Sequence, residues 1–533
     1  MAKKPAPKEP SANEKLEKEA NRRLADCRTW KSYWELDFKE CYFFCSPHRQ
    51  RTISSMTEPA QQRMLDAPEL NTDEAFLLSQ DFVTEVVNTF MPEAQPWCER
   101  GPGMDIAPGA WEKVEKQVKD DDAKIFAAMK ASNLYPEVAK AFYPDLAIGT
   151  VALWIDRPHA SAPINTSSIP LRELECNLGP YGEIDDRFAV RYTRNCYVRE
   201  LVGEDVWGKI SARMKKAIED KPQVRTQVIW GFWRNWEDKG DECWQHVILV
   251  GARLVHETTI KGEGSCPMLV FRFNPSSDWP WGLGPMIQGL PSFRQIDELE
   301  MALMENASLS LRPPITFPSE SFTNVEQGLE EGMAYPILPG HEGAVKKIYD
   351  VPPANPANYA YEDRLRKLRK LFFVDLPEQT GDTPPTAAQW YDEMARAQRR
   401  IGVPGLSFWR EGPSKIFLRF QHLLEQAGMI KPLRVDGRAV ATLPRNPAQA
   451  AAEMQEVATA VKYLSITGPA FPEEYKLRID GGETMKNLKN KMRADLIAFR
   501  DEDKVNTALD QIQKLAGGAT PSPDGSAAPQ PPQ

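Results

Sequence analysis

No run in the 533 residues approaches the ~18 to 20 apolar residues of a membrane span, so a helical crossing is not expected. The amino terminus, MAKKPAPKEPSANEKLEKEANRR, is charged and lacks the apolar segment of a secretory signal. The eight cysteines (27, 41, 45, 98, 176, 196, 243 and 266) include no CxxC pair and no framework spacing. That argues against structural zinc and against disulfides, and for reduced thiols in a protein assembled in a cytoplasm. The six histidines (48, 159, 246, 256, 341 and 422) form no HExxH and no His–Cys cluster, so neither metal nor cofactor is expected. There is no Gly-x-Ser-x-Gly elbow and no internal repeat of 20–50 residues. Excess positive charge is missing too. Lys+Arg 66 against Asp+Glu 75 gives −9, which excludes coating DNA by bulk charge but permits local contact.

What is present is globular: 41% hydrophobic and 26% charged residues, in a chain too long for one simple core. The 45 prolines, about 8% against an average near 5%, punctuate many short elements. Residues 1–20 are Lys/Glu/Pro-rich and expected to be mobile. Helical patterns follow at Leu24–Cys45, 73–90, 110–132 and 134–147. Then the period changes. Val151–Ile155, Phe188–Tyr192, Val224–Trp236, His246–Val250 and Met268–Phe273 read as strands, with a helix at 203–219, making the first half α+β. After Gly282-Leu-Gly284-Pro285 comes a long helical rod over 286–311, roughly 40 Å at 1.5 Å per residue. A second rod, Tyr361–Phe373, carries the densest cationic cluster: Arg364, Arg366, Lys367, Arg369 and Lys370. A helical run from Thr386 to about 428 is expected to kink at Gly402–Gly405 and Gly412-Pro413. Further helices fall at 446–464 and 484–514, before a low-complexity end.

Several stretches approach chemical motifs and miss. Gly203-Glu-Asp-Val-Trp-Gly208-Lys209 resembles a phosphate loop, but Ile210 stands where Ser or Thr should hold Mg²⁺, and Glu204 and Asp205 oppose phosphate. A turn into a surface helix explains it better. Gly282-x-Gly284 lacks the third glycine of the dinucleotide fingerprint and reads as a turn before a helix that starts on Pro285. Cys41 and Cys45 share a helical face without a second ligand pair, so they read as packed thiols. Asp120-Asp121-Asp122 could bind a divalent cation, but a solvated helix face is the commoner state of such a run.

Five segments, in order, carry a family resemblance: Cys41-Tyr-Phe-Phe-Cys-Ser-Pro47; Phe90-Met-Pro-Glu-Ala-Gln-Pro-Trp97; Phe142–Trp154 with its Ala-Ile-Gly-Thr centre; Cys266-Pro-Met-Leu-Val-Phe-Arg272 with Trp281-Gly-Leu-Gly-Pro285; and Thr386-Ala-Ala-Gln-Trp-Tyr-Asp-Glu393. Over roughly residues 25 to 510 the chain resembles the portal, or head-to-tail connector, proteins of short-tailed (podovirus-type) bacteriophages.

The resemblance implies an α+β fold: a mixed wing domain, long stem helices, a loop-rich clip and a helical crown, assembled as a ring. Its layout would be a mobile arm at 1–24, a wing at 25–284, a first stem helix at 285–311, a clip at 312–357 and a second stem helix at 358–373. A tunnel loop at 374–385, a kinked helix and crown at 386–515 and a disordered tail at 516–533 would follow. It implies a non-enzymatic ring, typically dodecameric, at one capsid vertex of the virion, assembled in the host cytoplasm and serving genome packaging and ejection. The implied partners are copies of itself, double-stranded DNA in transit, terminase, a tail adaptor, and the major capsid and scaffolding proteins, with no membrane and no cofactor.

The DNA-channel candidates are Arg364, Arg366, Lys367, Arg369 and Lys370. Five cations in seven helical residues cannot all face one way, so some are expected to pair with acids such as Glu298, Glu300 and Glu305. The tunnel-loop candidates are Glu378, Gln379, Thr380, Gly381, Asp382 and Thr383, an acidic, proline-flanked stretch poorly suited to gripping DNA. Two alternatives stay open on the residues alone: another virion structural protein, of an internal core or a tail, and an enzyme acting on nucleotides or nucleic acid.

Overall fold

The computed structural model describes residues 12–50, 70–101, 111, 113–157, 162–237, 242–311, 315–316, 346–347, 355–374, 405, 407–432, 434–435, 438–439, 441–444, 447–470, 479 and 481–492. The fold is α+β, and no described sheet closes into a barrel.

The chain opens with α1 (Ala12–Ser32) and α2 (Glu35–Cys45). Half of the expected mobile arm is therefore helix. The reason is a stripe, Leu16, Ala20, Leu24 and Cys27, that packs on Phe188, Val190, Ile229 and Trp233 despite the surrounding charge. The helix expected over Leu24–Cys45 is interrupted at Tyr33-Trp34, which lets α2 turn its Phe38, Tyr42 and Phe44 into the main core. After α3 (Pro47–Gln50) come α4 (Glu74–Phe90), β1 (Cys98–Gly101), α5 (Glu115–Ala131), α6 (Leu134–Phe142) and α7 (Asp145–Ile148). The single helix expected at 134–147 is thus two.

Two antiparallel sheets form the centre. A three-stranded sheet, ordered β3-β2-β9, contains β2 (Thr150–Asp156), β3 (Asn165–Ile169) and β9 (Met268–Arg272). A five-stranded sheet runs in chain order through β4 (Leu174–Leu178), β5 (Ile184–Arg194), β6 (Arg225–Arg234), β7 (Cys243–Val250) and β8 (Arg253–Lys261). Alternation along β6 sends Ile229 and Trp233 toward α1, and Val228, Trp230 and Phe232 toward the main core, where Trp154 of β2 meets Trp230 and Phe232. Between β5 and β6, α8 (Asn195–Val202), α9 (Glu204–Lys209) and α10 (Ala212–Glu219) replace the single helix expected at 203–219. Gly203, at φ +83°, makes the turn between the first two.

The long rod is α11 (Pro285–Leu311), about 40 Å for its 27 residues. The clip boundaries at 312–357 enclose one described ladder, β10 (Ile315–Thr316) antiparallel to β11 (Lys346–Lys347). The second rod, α12 (Asn355–Leu371), starts three residues before the expected 358. Val374 apart, the tunnel-loop stretch lies outside the described residues, as do the first arm of the kinked helix and the tail at 516–533.

Past Gly412, α13 (Pro413–Gln426) buries Ile416, Phe417, Phe420 and Leu423 in the main core. The hairpin of β12 (Arg434–Val435) and β13 (Arg438–Ala439) leads to β14 (Ala441–Pro444), which pairs with β1. Described sequence beyond 386 thus packs into the same core as the first half of the chain. One compact unit ends at Ala448 and a second begins at Gln449. The second holds most of α14 (Pro447–Ala470), which exposes Val461, Tyr463 and Ile466, together with α15 (Gly481–Met492).

Candidate channel helix and its wing junction

Among the described residues, segments that carry the resemblance meet in space. Gly149, at φ +134°, lies so close to the 282–284 turn that a Cβ there would stand 2.3 Å from the Gly282 carbonyl oxygen. A Cβ at Gly284 would stand 2.2 Å from the Ala147 oxygen. Backbone amides of Gly284 and Phe273 bond the carbonyls of Ile148 and Gly149, each at 2.9 Å. The Gly282 amide bonds the Thr150 hydroxyl at 2.9 Å. Neither loop could approach this closely with side chains. The expected turn before a Pro285-led helix is therefore there, and its glycines weld β2 to the start of α11. Around the weld, Phe44 stacks on Phe293 of α11, Phe90 meets Phe408, and Trp97 meets Trp409 and Phe126. The Thr386–Glu393 segment lies outside the described residues.

From this junction α11 runs against α12. Gly289 admits the Leu368 and Leu371 methyls, Phe293 packs edge-on to Phe372, and Phe372 reaches Phe82 of α4. Leu365, Leu368, Leu371 and Phe372 form the inward face of α12. That face decides where the five cations point. Each fully buried Leu or Phe side chain is worth about 1.5–3 kcal/mol, whereas an exposed i,i+4 ion pair such as Lys367–Asp363, screened by water, contributes far less. At 3.6 residues per turn, Arg366 and Lys370 fall about 160° round the helix from Leu368, Lys367 and Arg369 about 100°, and Arg364 about 40°. Exposure agrees: Arg364 is half-buried and the other four are exposed.

Several acids lie beside α12. Lys367 bonds Asp363 at 2.5 Å, which draws the Asp363 carboxyl below its usual range. Glu74, the first residue of α4, has its carboxyl raised by burial, partly offset by nearby Arg369 and by a hydrogen bond from Tyr361. Burial, with Glu300 and Glu74 nearby, pushes the Tyr361 phenol up to about 12. Glu300 thus lies close to both Tyr361 and Glu74. Asp297 of α11 accepts from the Asn71 amide at 2.8 Å, and Arg294 pairs with Glu40 of α2.

The tunnel-loop candidates Glu378, Gln379, Thr380, Gly381, Asp382 and Thr383 lie outside the described residues. The acidic run is a correction. Asp120 is exposed, but Asp121 and Asp122 are only 3% and 9% exposed, so this is no solvated face. Asp122 bonds the Arg100 guanidinium at 2.6 Å and its amide at 3.1 Å, and Asp121 pairs with Lys124. The signal missed is that β1 carries an arginine needing a buried acid. Other buried polar links were equally invisible in sequence. Arg419 of α13 donates to the carbonyls of Ile155, Gly264 and Ser265 and to Asp156. Arg272 forks onto Glu411.

Lys209, from the near-miss phosphate loop, contacts His256 Nδ1 at 3.1 Å, and Glu204 pairs with Arg199. His246 is half-buried and stacked on Phe232, and His422 contacts Gln426, while His159 and His341 lie outside the described residues. All eight cysteines are free thiols, and Cys196 alone of them is exposed. Among the described residues no three His, Cys, Asp or Glu side chains are placed to hold a metal ion, and no helix is long and apolar enough to cross a membrane.

A wing welded by glycines to a pair of packed helices, one with a charged outer face, is a structural module that presents charge. Residues 17–496 match the family described as bacteriophage head to tail connecting protein, and the chain belongs to that family. It is a head-to-tail connector, a structural component of the virion. No curated protein matches it in sequence. Similar solved structures include a chain from the neck of an empty gene transfer agent particle, 12% identical over 78% of this chain and 90% of that one, at a TM-score of 0.33. Another is a chain from the virion of a native gene transfer agent particle, 13% identical over 78% and 93%, at a TM-score of 0.34.

Proposed function

We propose that the protein forms a ring of twelve copies at one capsid vertex, through which double-stranded DNA enters during packaging and leaves at ejection. The observation that carries the reading is the orientation of α12: its leucine seam faces α11, leaving Arg366 and Lys370 on the opposite side. In a ring these two would line the channel. Twelve copies at −9 each total on the order of −100 charges, so the channel as a whole would not hold phosphates tightly. A narrow cationic ring would keep the duplex centred while it slides. Residues 312–357 would form the clip that meets terminase and the tail adaptor, and the wing would face the major capsid and scaffolding proteins.

The test is charge reversal, Arg366→Glu with Lys370→Glu, read as DNA packaged and retained per particle. Unchanged packaging and retention would remove the channel role. Native mass spectrometry with negative-stain imaging should give about twelve subunits around an open channel. A persistent monomer or dimer in the presence of scaffold would instead favour a different structural place in the virion. Deleting 320–345 should spare ring formation and abolish motor docking.

A further inference from the structure

On the wing, away from α11 and α12, a half-open cavity of about 310 Å³ is lined by Arg49, Lys140, Asp145, Ser168 and Arg172 among others. The three cations come from separate elements: α3, α6 and the turn after β3. The wall carries three positive groups against one carboxylate, and that carboxylate is already satisfied. Asp145 accepts from the Tyr42 hydroxyl at 2.6 Å, from Arg49 at 3.1 Å and from the Leu171 amide at 3.3 Å. It thereby fixes the Arg49 guanidinium at the wall.

Arg172 is the group with unused hydrogen-bonding capacity, though it lies in ion-pair range of Glu173. Its nearest acid, Glu173, is 3.8 Å away, beyond hydrogen-bond length, and Glu173 is bonded by Arg191 at 3.0 Å. The Arg172 guanidinium donates no hydrogen bond among the described residues, and its side chain is 34% exposed at the cavity. Lys140 gives one of its three N–H groups to Glu137, at 2.6 Å.

We propose that this cavity binds a phosphate group, with Arg172 forking onto two of its oxygens and Arg49, Lys140 and the Ser168 hydroxyl completing the cradle. A planar fork of donors beside a second guanidinium suits a tetrahedral oxyanion better than a monovalent carboxylate. At about 30 Å³ per water, the volume would hold about ten waters, enough for a phosphodiester or a small phosphorylated molecule as well as free phosphate. The site goes beyond the channel reading and does not depend on it.

The probe is inorganic phosphate, titrated into the full-length chain and followed by calorimetry and phosphorus NMR, with chloride at matched ionic strength as the control. Saturable binding is expected, weakened at least about tenfold, about 1.4 kcal/mol, by Arg172→Ala and less by Lys140→Ala. A thermal midpoint within a few degrees of wild type would confirm that each variant is folded. A short DNA duplex that displaces the phosphate would identify the source as a nucleic-acid backbone, and failure to displace it would identify free phosphate. Absence of saturation, equal competition by chloride, or undiminished affinity in folded Arg172→Ala would each overturn the proposal.

Discussion

The wing junction and the outer face of α12 impose opposite demands on sequence. At Gly149 and Gly284 the backbones touch so closely that no side chain fits. Around Arg366 and Lys370 almost any side chain could be accommodated, since both are exposed and opposite the packed seam. The first region constrains shape and leaves charge out; the second takes its shape from Leu368 and Phe372 and is free to vary its charge. Stability and function should therefore separate cleanly under mutation, and each prediction below tests that separation.

The largest effect is expected at the weld. Gly149→Ala places a methyl 2.3 Å from a carbonyl oxygen in a backbone conformation L residues rarely adopt. Destabilisation of about 4 kcal/mol or more should follow, read as a fall in the urea midpoint or loss of soluble protein. A wild-type midpoint would show that the loops can part without cost, and the contrast with α12 would fail. Next is Arg419→Ala, which removes a buried guanidinium that donates to the carbonyls of Ile155, Gly264 and Ser265 and to Asp156. The expected loss is about 3 kcal/mol, again by denaturation.

How much of this was legible depended on where each residue's partner lies. β2, β5, β6, β7 and β9 were readable because Val, Ile, Phe and Trp crowd them. β3 (NTSSI) and β8 (RLVHETTIK) were not, because a strand covered on one side or placed at an edge can be polar. The first turns of α1 were missed because the packed stripe of Leu16, Ala20, Leu24 and Cys27 sits among ten charged residues in Ala12–Ser32. Gly282 and Gly284 read correctly as a turn, but nothing local pointed to Gly149 as their partner. Asp122 was misread for the same reason, since Arg100 sits on another element. On α12 the spacing already forbade a common direction for five cations, and the positions of Leu365, Leu368 and Phe372 supplied the direction.

A smaller, pH-dependent effect belongs to the wing. Burial lowers the His246 pKa to about 3, with His256 adding to the shift. The folded value lies below the unfolded one, near 6.5, so the unfolded chain binds the extra proton first. The stability from neutral His246 is fully present above about 6.5 and is lost as pH falls toward 3, by at most about 1.4 kcal/mol per pH unit. Asp122, Asp145 and Glu175, raised by burial, oppose this, because the native state takes up their protons first and gains stability as pH falls. The difference between wild type and His246→Phe isolates the histidine. The variant should lose less stability between pH 6.5 and 4, and parallel curves would refute the assignment.

The smallest stability effect should accompany the clearest change in function. Arg366→Glu with Lys370→Glu alters two exposed positions and leaves the leucine seam untouched, so unfolding should shift by no more than about 0.5 kcal/mol per site. DNA retention should nevertheless fall, with the defect deepening at low ionic strength, where repulsion from phosphate is least screened. Arg364→Glu is the internal control. It sits half-buried beside the seam, so it should cost more stability than either outward reversal while changing retention less. If the three reversals instead reduced retention equally, facing would not matter, and the basic cluster would act through overall charge alone.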